Sequence, residues 1–230
     1  LVKLDNRLAA IAAMVPAGSK VADIGTDHAY LPIHLETAGI TSGAIAGDIH
    51  QGPFQAALAA VRRVNLEDRI SVRFGDGLAV LSPGEADTAV IAGMGGATII
   101  EILSTQPEVT ASLSRLVLQP MLAAPALRRW LVANGWRLVD ETLAEEDGRI
   151  YEIIAAEQGK SAEMEPILLE IGPLLWSRRH PLLKAHLAGL CVQMKRVVAE
   201  MAVSASAVNS AKYQEYQEKI ALLEEKHACL

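Results

Sequence analysis

The sequence predicts an α/β protein, a mostly parallel sheet with helices between its strands, followed by a helical appendage. Three observations predict it. Short apolar runs with strand character recur up to Gln158, most of them ending in an acid or a glycine. Segments of helical periodicity separate the first of them. Past Gly159 the strand pattern stops and only helical spacing remains.

The elements follow in order. Leu4, Leu8, Ile11, Ala12 and Val15 share a helical face, with Asp5 or Asn6 as its cap and Pro16-Ala17-Gly18 as its stop. Arg7 sits in the first turn of that helix, where a cation gains nothing from the helix dipole. It is either solvated or turned toward a pocket. Strand one covers about Lys20 to Ile24. The helix after it holds Leu31, Ile33 and Leu35, carries Pro32 in its first turn and ends at Gly39. Strand two is Gly43 to Asp48, followed by a helix from about Gln51 to Asn65. Strand three is Ile70 to Phe74, ending at Gly75-Asp76-Gly77. Strand four is expected from Ala86 to Ile91, ending at Ala92-Gly93-Met94-Gly95-Gly96. Strand five is Arg115 to Leu118, ending at Gln119-Pro120. A helix from about Ala124 to Asn134 closes at Gly135.

A hairpin comes next. Trp136 to Ala144 and Ile150 to Ala156 flank the turn Glu145-Glu146-Asp147-Gly148-Arg149. Five strands and then a hairpin give a mostly parallel sheet with one reversed strand. We place a domain boundary near Gly159, giving domains 1–159 and 160–230. The second holds one short helical segment, about Glu165 to Leu175, and two longer helices. These run from Pro181 to about Ala202 and from Val208 to the end, joined by the bend Val203-Ser204-Ala205-Ser206. They are expected to form a coiled-coil-like helical hairpin.

Composition narrows the classes. The 230 residues suit one ordinary domain and an appendage. Apolar residues are 51% and aromatics 4%, so the core must be built of Ala, Leu, Ile and Val. A net charge of −6 argues mildly against a nucleic-acid binder, so any such contact must rest on local patches. Cys191 and Cys229 have no close spacing, which points to a reducing compartment without a disulfide scaffold or a metal site. No apolar run approaches the roughly 18 residues of a membrane span. The first residues lack the plan of a signal peptide, so a cytoplasmic protein is expected. The chain opens on Leu1, not Met, which leaves the native start open.

In open α/β sheets ligands bind at the carboxyl ends of the strands. Here those ends carry Asp23-Ile24-Gly25-Thr26-Asp27, Asp48, Asp76 and Gly93 to Gly96. A dinucleotide needs its pyrophosphate over the first helix, with glycines for close approach. Gly25-Thr26-Asp27-His28-Ala29-Tyr30 lacks the second and third glycines and sets a carboxylate where phosphate would lie. S-adenosyl-L-methionine has no phosphate, and its ammonium and sulfonium suit an acid-rich pocket. Asp48 is then the acceptor for the ribose hydroxyls and Asp76 for the adenine amine. Asp23 and Asp27 face the methionine ammonium, and Gly25 and Gly93 bring the backbone close. Ile49 and Gly77, each beside one of these acids, complete the cofactor set. Gly93-Met94-Gly95-Gly96 suits a flat substrate, with Met94 as a soft apolar wall.

At these residues the chain resembles the bacterial tRNA (adenine(22)-N(1))-methyltransferases. The resemblance rests on Ala22-Asp23-Ile24-Gly25-Thr26-Asp27-His28-Ala29-Tyr30-Leu31-Pro32, on Gly75-Asp76-Gly77-Leu78, on Ile91-Ala92-Gly93-Met94-Gly95-Gly96 and on Leu118-Gln119-Pro120, supported by shorter blocks at Arg7-Leu8, Gly43 to Gly47, Gly52 to Phe54 and Glu145 to Gly148. It implies a Rossmann-like class I methyltransferase fold with a C-terminal helical domain, methylation of N1 of an adenine in the tRNA D-arm, and Arg7 near the cofactor carboxylate. One departure is Asp48, where the family carries glutamate; the shorter acid still reaches a ribose.

N1 of adenine has a free lone pair, so no proton must leave before attack. Positioning and electrostatics are expected to carry catalysis. Asp27 or His28 is the candidate to take a later proton, and His28 serves equally as a pocket-wall hydrogen-bonder. N1 lies on the pairing edge, so the base must be exposed or flipped, with Tyr30 or Met94 packing on it. Phosphate contacts are expected from Arg178-Arg179-His180 with Lys184 first, then from Arg62-Arg63, Arg128-Arg129 and Lys195-Arg196. Monomer and homodimer through the C-terminal helices both stay open. So do three other readings: a methyltransferase for another RNA site or a small molecule, a NAD-binding oxidoreductase, and a non-catalytic RNA- or protein-binding module.

Overall fold

The structure is a computed structural model and describes residues 2–204 and 208–230. The chain divides into two compact units, Leu1–Ala162 and Glu163–Leu230. In the first unit α1 (Asn6–Ala13) precedes β1 (Lys20–Ile24), α2 (Tyr30–Thr37), β2 (Gly43–Asp48), α3 (Gln51–Arg63) and β3 (Ile70–Phe74). A single 3₁₀ turn (Gly77–Val80) leads to β4 (Thr88–Met94), α4 (Gly96–Thr105), α5 (Pro107–Ser112), β5 (Arg115–Pro120) and α6 (Ala124–Ala133). The hairpin of β6 (Trp136–Glu146) and β7 (Arg149–Gln158) closes the unit.

The seven strands form one sheet in the order β3-β2-β1-β4-β5-β7-β6. Neighbours from β3 to β5 run parallel; β7 runs antiparallel to both β5 and β6. It is the one reversed strand that the sequence pattern anticipates. The strand order reverses between β1 and β4, and that switch point opens a crevice at the carboxyl ends. Alanines at the sheet centre, among them Ala22, Ala46 and Ala89, are fully buried. Their small side chains let Ile11, Ile33, Leu35 and Val61 of the helices fill the core in place of the scarce aromatics.

Local chemistry sets the ends. Asp5 caps α1, its Oδ1 accepting from the Leu8 N–H at 2.6 Å. The β6–β7 turn is only Asp147-Gly148, with φ of 50° and 72°, the two-residue form that right-twisted strands prefer. The backbone N–H of Asn6 donates to Glu146 Oε2 at 2.8 Å, which ties α1 to this hairpin.

Two stretches of the first unit differ from the sequence pattern. Strand four starts later than expected and continues to Met94. Gly93 absorbs a bulge between Ala92 and Met94, after which pairing with β5 resumes at Met94 and Pro120. The pattern assigns no element to residues 97–114, yet α4 and α5 form there. Thr98-Ile99-Ile100 has strand-like β-branching, and burial of Ile99, Ile102 and Leu103 overrides it.

In the second unit the expected single short segment is split into α7 (Pro166–Ile171) and α8 (Pro173–Ser177). Gly172, at φ 104°, and Pro173 break it. The long helices are α9 (Leu183–Met201) and α10 (Ala211–Ala228), the latter capped by the Ser210 hydroxyl. They pack together and are bridged by Lys195 Nζ and Glu224 Oε1 at 2.6 Å. Part of the expected bend at 203–206 lies outside the described residues. Among the described residues no helix is long and apolar enough to cross a membrane.

Candidate active site

The turn after β1 places three residues in the left-handed region. Gly25, Asp27 and Ala29 all have positive φ (76°, 53° and 54°), a conformation that costs a non-glycine residue on the order of 1 kcal/mol. Hydrogen bonds hold it there. The N–H groups of Gly25 and Thr26 both donate to the Gly47 carbonyl, at 2.8 and 3.0 Å, and that of Ala29 donates to the Thr26 carbonyl at 3.0 Å. The N–H of Asp27 donates to Asp48 Oδ2 at 3.2 Å. These four amides are engaged within the protein, Pro32 in the first turn of α2 has no N–H to offer, and Asp27 sets a carboxylate beside them. The turn is therefore a poor seat for a pyrophosphate.

Two buried acids stand behind it. Asp48 ends β2 and accepts from Asp27 and, through Oδ1, from the His50 N–H at 2.8 Å. Asp23 lies in β1 and accepts from the Thr26 hydroxyl at 2.6 Å. Burial pushes the Asp23 carboxyl up to about 6; the Thr26 bond opposes the rise, the charge of Asp48 adds to it and the Arg7 guanidinium opposes it.

The crevice consists of two cavities that share Gly25. One, of about 270 Å³, is lined by Arg7, Asp23, Thr26, Asp27, His28, Tyr30 and Gly93 among others. The other, of about 430 Å³, is lined by Asp48, Ile49, Asp76, Gly77, Met94 and Glu101 among others. Among the described residues its lining has three carboxylates and no lysine or arginine. Met94 packs across the junction: a Cβ on Gly25 would lie 2.3 Å from its Cε. The positive φ of Gly25 favours glycine, and the end of the flexible Met94 side chain rests against it.

The residues singled out in the first unit converge on this crevice. Asp27 and His28 stand at its rim, their side chains 68% and 47% exposed and 3.6 Å apart. His28 stacks on Tyr30 with ring centroids 5.3 Å apart. Arg7 turns inward, its Nη1 donating to Gln119 Oε1 at 3.0 Å and its guanidinium 5.9 Å from the Tyr151 ring centre. Arg178 and Arg179 are exposed in the second unit, between α8 and α9.

One expected phosphate contact is corrected. Arg128 is fully buried on α6, with its guanidinium paired to Glu141 at 2.6 Å and to Glu152. It holds α6 to the β6–β7 hairpin and cannot reach a phosphate. The sequence pattern assigns Gln119 no role at the site. It is fully buried at the end of β5, and its Oε1 accepts from both Arg7 and the Gly93 N–H. Its position at a strand end is the signal that marks the acids, and applies equally to an amide.

The chemical character is then defined. One cavity offers a desolvated carboxylate beside a guanidinium, suited to an ammonium and a carboxylate on one ligand. The other offers fixed acceptors suited to a diol and an amine. A methyltransferase-domain profile matches residues 4–154. The chain is 45% identical to the tRNA (adenine(22)-N(1))-methyltransferase of Bacillus subtilis (strain 168) over 174 residues, 75% of this chain and 73% of that one. The chain belongs to the tRNA (adenine(22)-N(1))-methyltransferase family. Solved structures in the family superpose over nearly its whole length. The B. subtilis m1A22 tRNA methyltransferase TrmK gives a TM-score of 0.86 at 35% identity, covering 99% of this chain and 100% of that one. Sp1610 of Streptococcus pneumoniae, in complex with S-adenosyl-L-methionine, gives 0.87 at 31% identity, covering 98% and 100%.

Proposed function

We propose that this protein transfers the methyl group of S-adenosyl-L-methionine to N1 of adenine 22 in tRNA, and that the two cavities hold the two halves of that cofactor. The observation that carries the reading is the pair of buried acids, Asp23 and Asp48, each in one of the two cavities that meet at Gly25, in a chain of this family.

Asp23 binds the cofactor ammonium and is ionised when it does so. Arg7, oriented by Gln119, binds the carboxylate. Asp48 accepts from the ribose hydroxyls, its free lone pairs aimed by the two backbone bonds it already holds. Asp76 accepts from the adenine amine, with Ile49 and Gly77 against the ring. Bound there, S-adenosyl-L-methionine supplies a methyl group on a positively charged sulfur. The protein's task is to bring N1 in line with that methyl group and to exclude water. Tyr30, backed by His28, offers a face for the target base, and Met94 bounds the space at Gly25. Attack uses the N1 lone pair, so no base is needed first. Positive charge then builds on the adenine, and the Asp27 carboxylate at the rim stabilises it or takes a proton from the exocyclic amine. Arg178 and Arg179 are exposed cations for tRNA phosphates, and the enzyme works in the cytoplasm with its substrate.

The test is methylation of unmodified tRNA transcripts with labelled cofactor, followed by mapping of the product base. N1-methyladenine at position 22 is expected. Label on another base, or on no RNA, overturns the reading.

A further inference from the structure

Leu122 and Met121 lie in the loop between β5 and α6, and the mechanism above gives them no work. Both are exposed, Leu122 at 67% and Met121 at 43%. Single exposed apolar residues are ordinary on a protein surface. These two differ because the backbone beneath them is fixed. The Met121 N–H donates to the Met94 carbonyl at 2.8 Å, and the Leu122 carbonyl accepts from the Gly96 N–H at 2.8 Å. Ala123 sits at φ 58° and starts α6, its carbonyl accepting from the Ala126 and Leu127 N–H groups. A Cβ on Gly96 would lie 2.7 Å from the Ala123 oxygen and 2.9 Å from the Leu122 oxygen, so only glycine permits this contact. At the other end Gln119 is buried and bonded to Gly93.

The loop is therefore zipped to the Gly93–Gly96 segment, whose Met94 packs on Gly25 at the junction of the two cavities. A loop held by backbone hydrogen bonds beside the reactive centre carries Leu122 largely exposed at its tip, while Met121, half-covered, accepts from Gln119 Nε2 through its sulfur at 3.5 Å.

The reaction explains what such a tip is for, and here the inference rests on the methyl-transfer reading above. N1 is on the pairing edge of adenine, so the base must leave its helix. Unpairing and unstacking cost a few kcal/mol, and an apolar side chain inserted into the stack offsets part of that cost. We propose that Leu122, supported by Met121, is the wedge that fills the gap left in the tRNA stack when the target adenine is drawn into the site. The occupant of this apolar surface is the opened base stack flanking that adenine. Two features favour it over a protein partner. The tip is continuous through backbone hydrogen bonds with the wall of the reaction site. A chain of net charge −6 also gains from an RNA contact that does not depend on cations. Leu122 is a positioning residue: it touches neither cofactor nor reacting atoms.

The test compares wild type, Leu122→Ala and Leu122→Met on two transcripts. One is the unmodified tRNA; the other is the same tRNA with an abasic nucleotide opposite the target adenine, so that the base starts unpaired. On the intact transcript Leu122→Ala is expected to lose about tenfold in kcat/KM, while Leu122→Met, still long and apolar, stays within about threefold of wild type. On the opened transcript Leu122→Ala returns to within about threefold of wild type. Cofactor affinity, measured separately by calorimetry, is unchanged in both variants, which excludes a folding defect as the cause. Equal loss on both transcripts, or no loss on either, overturns the wedge. Wild-type protein that methylates neither transcript overturns the parent reading, and the wedge falls with it.

Discussion

Asp23 and Asp48 belong to neighbouring parallel strands and are equally buried, at 6% exposure each, yet the protein holds them in opposite ways. Asp48 has a backbone N–H on each oxygen. Asp23 has a single hydroxyl, and burial lifts its carboxyl to about 6. The difference teaches what each half of the crevice is built to receive. A carboxylate already satisfied by amides is a stable, aimed acceptor, suited to neutral hydroxyls. A carboxylate stripped of water and under-bonded is in an unfavourable state that a ligand cation relieves. If Asp23 receives the cofactor ammonium as proposed, the cost of ionising it in the free protein is recovered on binding.

Removing the satisfied acid has the largest expected effect. Asp48→Ala deletes the proposed ribose acceptor and strands the N–H groups of Asp27 and His50. Hydrogen bonds to a charged group are worth about 1.5–3 kcal/mol each, so cofactor affinity should fall roughly 100-fold by calorimetry. The melting temperature should fall by several degrees as well, because the turn after β1 loses an anchor.

Asp23→Asn should separate the two effects that Asp48→Ala combines. Cofactor affinity should fall roughly tenfold at pH 8, while the cofactor-free protein should melt higher than wild type. The sign follows from the titration. Asp23 titrates near 6 in the fold against an ordinary 3.8, so the unfolded chain loses this proton first as pH rises. The stabilising contribution is complete below about 3.8 and is lost as pH rises through about 6; near pH 7 the ionised group costs the free protein on the order of 3 kcal/mol. An ammonium bound at Asp23, as proposed, needs the ionised form. Wild-type affinity should therefore weaken below about pH 6, by up to roughly tenfold per unit, and the Asp23→Asn profile should be flat there. A wild-type profile that is also flat would remove the distinction between the two acids.

The smallest effect tests the boundary between the halves. Gly25→Ala forces a side chain onto φ 76° and into the Met94 methyl, so affinity should drop about fivefold. Adding Met94→Ala removes the collision but not the backbone strain, and should recover part of the loss. Full recovery would mean that the positive φ of Gly25 costs nothing.

Much of this is written locally along the chain. Hydrophobic period and strand-end acids mark β1, β2, β3 and the reversed strand, because alternation and punctuation involve residues only a few positions apart. The same local signals bring Asp23, Gly25, Asp27, Asp48 and Asp76 to one edge of the sheet. The sequence places Met94 beside the site, but its packing on Gly25 and the bulge at Gly93 come from the fold. Arg128 and Arg129 are alike in sequence, yet one helical step puts the first in the core against Glu141 and leaves the second outside. Arg7 and Gln119 meet across 112 positions, and Tyr151 lies beside Arg7 through a hairpin that no local pattern aims. The chain alone thus determines which strands end in acids and what class of ligand those acids suit. Which acid is satisfied and which is strained, which arginine is buried and which loop carries the exposed leucine are decided only by folding, because desolvation and hydrogen-bond partners come from residues distant in the chain.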